Sequence, residues 1–188
     1  MRTVIRWIEQ FAKWPYLVGA FLLVVGSNLL ILSQVTRFEE ATGGMSLLEL
    51  PTLIPQNLYA IAQGYTPAGM QIYQSIIQPL DIVFPLTVGL FFALVLAALT
   101  TRLFPVDSRR RYLPLLGPLA TLGDWLENLG VFFILRTVND PIPALALLTK
   151  AFIVAKLIVG LLAIFSILIL FAMWVSQRLR GPRQVESR

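Results

Sequence analysis

The chain has 188 residues, of which 57% are hydrophobic and 13% charged, whereas soluble domains carry charged residues near ~25%. With neither cysteine nor histidine, it lacks the groups for thiol–disulfide relays, thiolate nucleophiles and histidine-ligated haem or zinc. The formal net charge of +5 is spread between apolar stretches rather than gathered on one patch, which argues against a nucleic-acid partner.

A membrane-crossing helix needs roughly 20 predominantly apolar residues. Four stretches qualify, at about residues 14–35, 80–103, 112–137 and 144–177. Each is continuously apolar and longer than a barrel strand, so the expected fold is all-α, a four-transmembrane-helix bundle forming one membrane domain. Bases cluster before the first stretch (Arg2, Arg6, Lys13), between the second and third (Arg102, Arg109, Arg110, Arg111) and after the fourth (Arg178, Arg180, Arg183, Arg188). Positive loops stay in the cytoplasm, which predicts both termini and the second-to-third connection on that side.

In chain order, Val4, Ile5, Trp7, Ile8 and Phe11 fall at helical spacing among polar residues. They fit a short helix in the cytoplasmic interface, or alternatively an extension of the first span. No small-x-small cleavage site follows, so the first span is read as a retained signal-anchor. Within it, Gly19 and Gly26 share one face, beside Ser27 and Asn28, a pattern that suits close helix packing. The loop at 36–79 is expected to be exoplasmic and to hold two short amphipathic helices. One runs from Pro55 to Gln63; the second is capped by Thr66, with Pro67 at its first position, and ends where Pro79 meets the second span. Together they should cover the outer mouth of the bundle. Asp81 and Pro85 open the second span, the acid suiting a helix start, and a basic tail occupies 178–188.

The third stretch holds the string G-D-W-L-E-N, which places Asp124, Glu127 and Asn128 at i, i+3 and i+4 on one helical face. Trp125 points elsewhere, to lipid or a neighbouring helix. Lys156 is the intramembrane base, with a stem long enough to reach Glu127, and Asp81 lies at the same outer level. An ionised side chain in hydrocarbon costs several kcal/mol and marks a specific role. Three readings apply to this cluster: a polar lock fixing helix register; a proton- or cation-handling site; and a lipid-modifying enzyme site in which Asp81, Asp124 and Glu127 bind Mg²⁺ or act as acid and base.

The ordered strings D-x-x-F-P (Asp81, Phe84, Pro85), D-x-x-E-N (Asp124, Glu127, Asn128) and A-F-x-x-x-K (Ala151, Phe152, Lys156) resemble those of an uncharacterised family of bacterial four-helix membrane proteins. The likeness begins near Tyr65, Thr66, Pro67 and Tyr73 and covers about residues 55–165. Leu157 stands where an aromatic is common, and Met70 where a base is often found. The resemblance implies a bacterial inner-membrane location and supports the polar site, but brings no reaction. The function expected is a non-enzymatic tetraspan protein, without cofactor, that binds membrane lipid or a protein partner through the exoplasmic loop. The alternative is a small transporter or proton- or cation-coupled carrier working as a homo-oligomer.

Overall fold

The computed structural model describes residues 2–48 and 58–180, and within them it is all-helical with no strand. Its α-helices are α1 (Arg2–Phe11), α2 (Trp14–Thr42), α3 (Leu58–Gln63), α4 (Pro67–Ile72), α5 (Gln78–Leu103), α6 (Leu116–Arg136) and α7 (Pro143–Leu179). A π turn, Tyr73–Ile77, joins α4 to α5, and a 3₁₀ helix, Arg109–Leu115, leads into α6.

Among the described residues, three helices are long and apolar enough to cross a membrane: α2, the unbroken run Pro67–Leu103, and α7, with mean hydropathies of 2.1, 2.6 and 2.8 over their most apolar windows. Four were expected. The remaining candidate, α6, is 21 residues long and reaches ~31 Å at ~1.5 Å per residue. It falls short on apolarity because Asp124, Glu127 and Asn128 lie in its middle.

The run containing α5 is the core of the molecule. Half of its apolar window is buried (50%), against 6% for α2 and 11% for α7. Its buried positions recur every fourth residue, at Gly69, Tyr73, Ile77, Asp81, Pro85, Gly89, Ala93 and Ala97. α5 packs against α1, α2, α6 and α7, while α6 lies antiparallel between α5 and α7.

Several local differences from the sequence reading have physical causes. The second short helix does not stop at Pro79. That residue has no N–H for Ser75, and its ring crowds the preceding turn; the wider π turn at Tyr73–Ile77 absorbs it, so the chain continues unbroken into α5. Tyr73 and Ile77 are buried and Ile76 is exposed. α2 continues to Thr42, two turns beyond residue 35, and stops at Gly43, whose φ of 71° suits glycine. Residues 109–115 wind as a 3₁₀ helix, so α6 starts at Leu116 rather than at 112. Pro55 and the tail from residue 181 lie outside the described residues.

α1 is a separate helix, broken from α2 at Ala12–Lys13, with Pro15 in the first turn of α2. It buries Ile5 and Ile8. Glu9 receives Arg111 at 3.0 Å, and the same guanidinium donates to the Phe104 carbonyl (3.0 Å) and the Thr101 carbonyl (3.4 Å) at the end of α5. One arginine therefore caps α5 and holds α1 beneath it. The end of α7 lies at this level too, where Arg102 stands 5.8 Å over the Trp174 ring.

At the opposite end, Leu47, Leu48 and α3 pack on α6. Leu47, Leu48, Leu58 and Tyr59 join Val131, Ile134 and Leu135 in one cluster. The Tyr59 hydroxyl lies 2.7 Å from the Thr137 hydroxyl. Thr66 caps α4 as expected, accepting from the Gly69 N–H at 3.1 Å. Phe38, Tyr65 and Tyr73 form an aromatic trio with centroids 4.9–5.9 Å apart.

The glycine pattern of α2 does not mark a contact within the chain: a Cβ on Gly19 or Gly26 would meet nothing within 4 Å, and Asn28 is exposed. α2 meets α5 instead through the Ser27 and Thr87 hydroxyls, 3.0 Å apart. The tight approaches are elsewhere. A Cβ on Gly117 of α6 would press on the Gly89 carbonyl and stand 2.8 Å from the Ala93 nitrogen of α5; one on Gly123 would stand 3.3 Å from the Lys156 Cα of α7. Gly117→Val should therefore destabilise the protein by at least ~1–3 kcal/mol in detergent unfolding. Gly26→Val should stay within ~0.5 kcal/mol of wild type. Equal effects would show that the α5–α6 backbone contact is not a constraint.

Candidate functional site

The site grows from Pro85. A proline in a helix gives no N–H to the carbonyl four residues back and strains the neighbouring bond. The carbonyl left over is that of Asp81, and the next is that of Ile82. Both are met from α6: Asn128 Nδ2 donates to the Asp81 oxygen at 2.7 Å, and Trp125 Nε1 to the Ile82 oxygen at 2.9 Å. One turn further on, the Thr121 hydroxyl donates to the Pro85 carbonyl at 2.9 Å. Residues 121, 125 and 128 follow i, i+4, i+7, so a single stripe of α6 faces the turn around Pro85.

The adjacent stripe of α6 faces α7. Lys156 Nζ lies 2.6 Å from Glu127 Oε2 and 3.2 Å from Asp124 Oδ1. Glu127 is wholly buried, while the Asp124 and Lys156 side chains each retain 23% exposure. Gly123, one residue before Asp124, lets the Lys156 backbone approach α6 closely enough for the ammonium to bridge both acids. Thr149, two turns along α7, packs against Gly130 in the same way. Arg or a shorter base would not substitute readily, because the ammonium is a compact charge on a flexible stem.

The structure thus brings together Asp124, Glu127 and Lys156: the reach of the lysine pointed to Glu127, and Asp124 joins it. Asn128 is separated from them: it turns to α5 rather than joining the acids, because the orphaned Asp81 carbonyl needs a donor. Asp81 is buried, with 8% exposure, and is tied to α6 through its main chain. Among the described residues no three acids are grouped so as to hold a metal ion.

Thr121 and Trp125 were missed as site residues. The signal was available: a proline inside a long apolar helix leaves a carbonyl to be satisfied, and three side-chain donors sit at one stripe of the following helix. No family model, curated protein or solved structure matches the chain.

The clamp on α5 can be isolated by a double-mutant cycle. Asn128→Leu should cost ~1–2 kcal/mol by leaving the Asp81 carbonyl without its side-chain donor. With Pro85→Ala, the restored N–H at position 85 takes that carbonyl, and the same Asn128→Leu change should cost about 1 kcal/mol less. Unfolding measurements that gave the same cost in both backgrounds would separate Asn128 from the proline.

Proposed function

We propose that the chain is an integral membrane protein crossed by α2, α5, α6 and α7, with its basic end cytoplasmic and the loop between α2 and α5 as an exoplasmic cap. It is non-enzymatic on this reading, an inner-membrane protein of the bacterial tetraspan kind that its strings resemble, and it binds membrane lipid or a protein partner. The observation that carries this is the two-sided matching of α6. Its hydrogen-bond donors meet carbonyls of α5 and its acids meet the lysine of α7. A helix with three central polar residues can cross hydrocarbon when those groups are satisfied by neighbouring helices. α6 runs antiparallel between two helices of membrane-crossing length, and the polar cluster then serves as a lock that fixes register.

Reporter fusions test the topology: a signal at Gly43 should be exoplasmic and one at Ser108 cytoplasmic, and an exoplasmic Ser108 would overturn it. The lock is tested by unfolding in nanodiscs. Glu127→Gln and Lys156→Met should each cost ~3–5 kcal/mol, since removing one partner of a buried pair strands the other. The double variant should lose less than the sum.

A second reading has its own observation. Two carboxylates share one ammonium, and Asp124 and Lys156 keep an exposed edge, as a proton- or cation-coupled carrier in a homo-oligomer would require. Glu127→Gln with undiminished stability, together with lost ion flux in proteoliposomes, would favour that reading over the lock.

A further inference from the structure

A lateral groove of about 680 Å³ lies between α2 and α6, with α5 as its back wall and α1 across one end. We propose that this groove holds one acyl chain of an anionic phospholipid belonging to the leaflet in which α1 lies. The inference rests on the membrane reading above and concerns a site distinct from the Lys156 cluster.

The lining selects hydrocarbon. Deep in the groove the Thr121 hydroxyl and the Trp125 indole N–H are already spent on the Pro85 and Ile82 carbonyls, and the other polar side chains of the lining, Trp7 and Tyr16, lie at its α1 end. An occupant is therefore offered apolar contact, and its volume lies within the usual range of ligand sites, ~300–1,000 Å³.

The depth selects a lipid over a protein helix. The groove extends from Pro15 to Leu23 on α2, from Leu86 to Leu94 on α5 and from Pro118 to Trp125 on α6. At ~1.5 Å per residue each wall is ~12 Å long, close to half of a ~30 Å hydrocarbon core. That is the depth of one leaflet. A spanning helix from a second copy would meet α1, whose Trp7, Ile8 and Phe11 close the end. α1 itself is held there by Glu9 and Arg111.

The charge selects the headgroup. The groove ends at the basic side of the molecule, and the exposed Lys13 stands between two wall residues, Phe11 and Pro15. It is the N-cap position of the 29-residue α2, where the helix dipole also favours an anion. Trp7, Phe11 and Tyr16 form successive edge-to-face contacts, with centroids 5.0 and 5.3 Å apart. They make an aromatic wall at the level where such rings meet headgroups.

Gly19 supplies the test. It lines the groove, and a Cβ there meets nothing within 4 Å. Gly19→Phe should therefore project into the groove from an uncrowded Cβ position; Gly26→Phe makes the same change on the same helix outside it. The full chain would be placed in nanodiscs of phosphatidylcholine containing a phosphatidylglycerol with a photoactivatable acyl chain, and labelled peptides mapped by mass spectrometry.

Labelling of the peptides carrying Leu23, Leu90 and Leu122 is expected, reduced about tenfold by Gly19→Phe and unchanged by Gly26→Phe. Lys13→Gln should reduce labelling by the glycerol lipid but not by a choline lipid with the same chain. Gly19→Leu provides a milder filling should the phenylalanine variant fold poorly. Equal labelling of wild type and both Gly19 variants would overturn the proposal, as would an equal loss in Gly26→Phe or a crosslink joining two copies through the groove. Indifference to Lys13→Gln would overturn its anionic part. Failure of the wild type to enter nanodiscs would instead strike at the membrane reading.

Discussion

Pro85 has no N–H to give to Asp81, and much of the central packing follows from that one missing donor. In water the orphaned carbonyl would be hydrated at little cost. Inside a bilayer it must find a donor on another helix. α6 provides one through Asn128, a second through Trp125 for the strained neighbouring carbonyl, and a third through Thr121. To deliver short side chains that close, the two helices must nearly touch, and Gly89 against Gly117 lets them do so. The proline, the glycines and the donor stripe thus act together.

The adjacent stripe of α6 works by charge. Lys156 is placed between Asp124 and Glu127, with Gly123 removing the side chain that would hold α7 away. The two stripes differ in kind. The carbonyl clamp is neutral, directional and sensitive to fractions of an ångström. The ion cluster is longer-ranged and depends on the low dielectric around Glu127. Because they lie on adjacent stripes of the same three turns, a rotation of α6 that improved one would spoil the other, so together they fix both its height and its rotation.

Much of this could be read from the chain. Continuous apolar runs marked the membrane-length helices, and the i, i+3 spacing with a reachable lysine pointed to the Glu127–Lys156 meeting, with Asp124 on the same helical face. Thr66 and Pro67 announced the start of α4 because capping is local chemistry. What escaped was what depends on the partner. Asn128 was grouped with the acids because helical spacing alone puts it near their face; only the orphaned Asp81 carbonyl explains why it turns away. Gly19 and Gly26 had the spacing of a packing face, yet they border open space, since spacing cannot say whether another helix is there. Pro79 read as a break because the sequence carries no sign of a π turn that accommodates it.

That π turn also sets the phase of the molecule. A residue added to or removed from an α-helix rotates everything beyond it by ~100°. Tyr73 and Ile77 belong to the aromatic end, where Phe38 and Tyr65 gather, while Asp81 and Pro85 belong to the clamp with α6. All four are buried along one fourth-residue row, which would drift around a uniform α-helix by ~40° at each step. The wider turn at Tyr73–Ile77 winds against that drift at the junction of the two regions. It takes up its extra residue locally, so the aromatic end and the clamp keep their relative orientation across it.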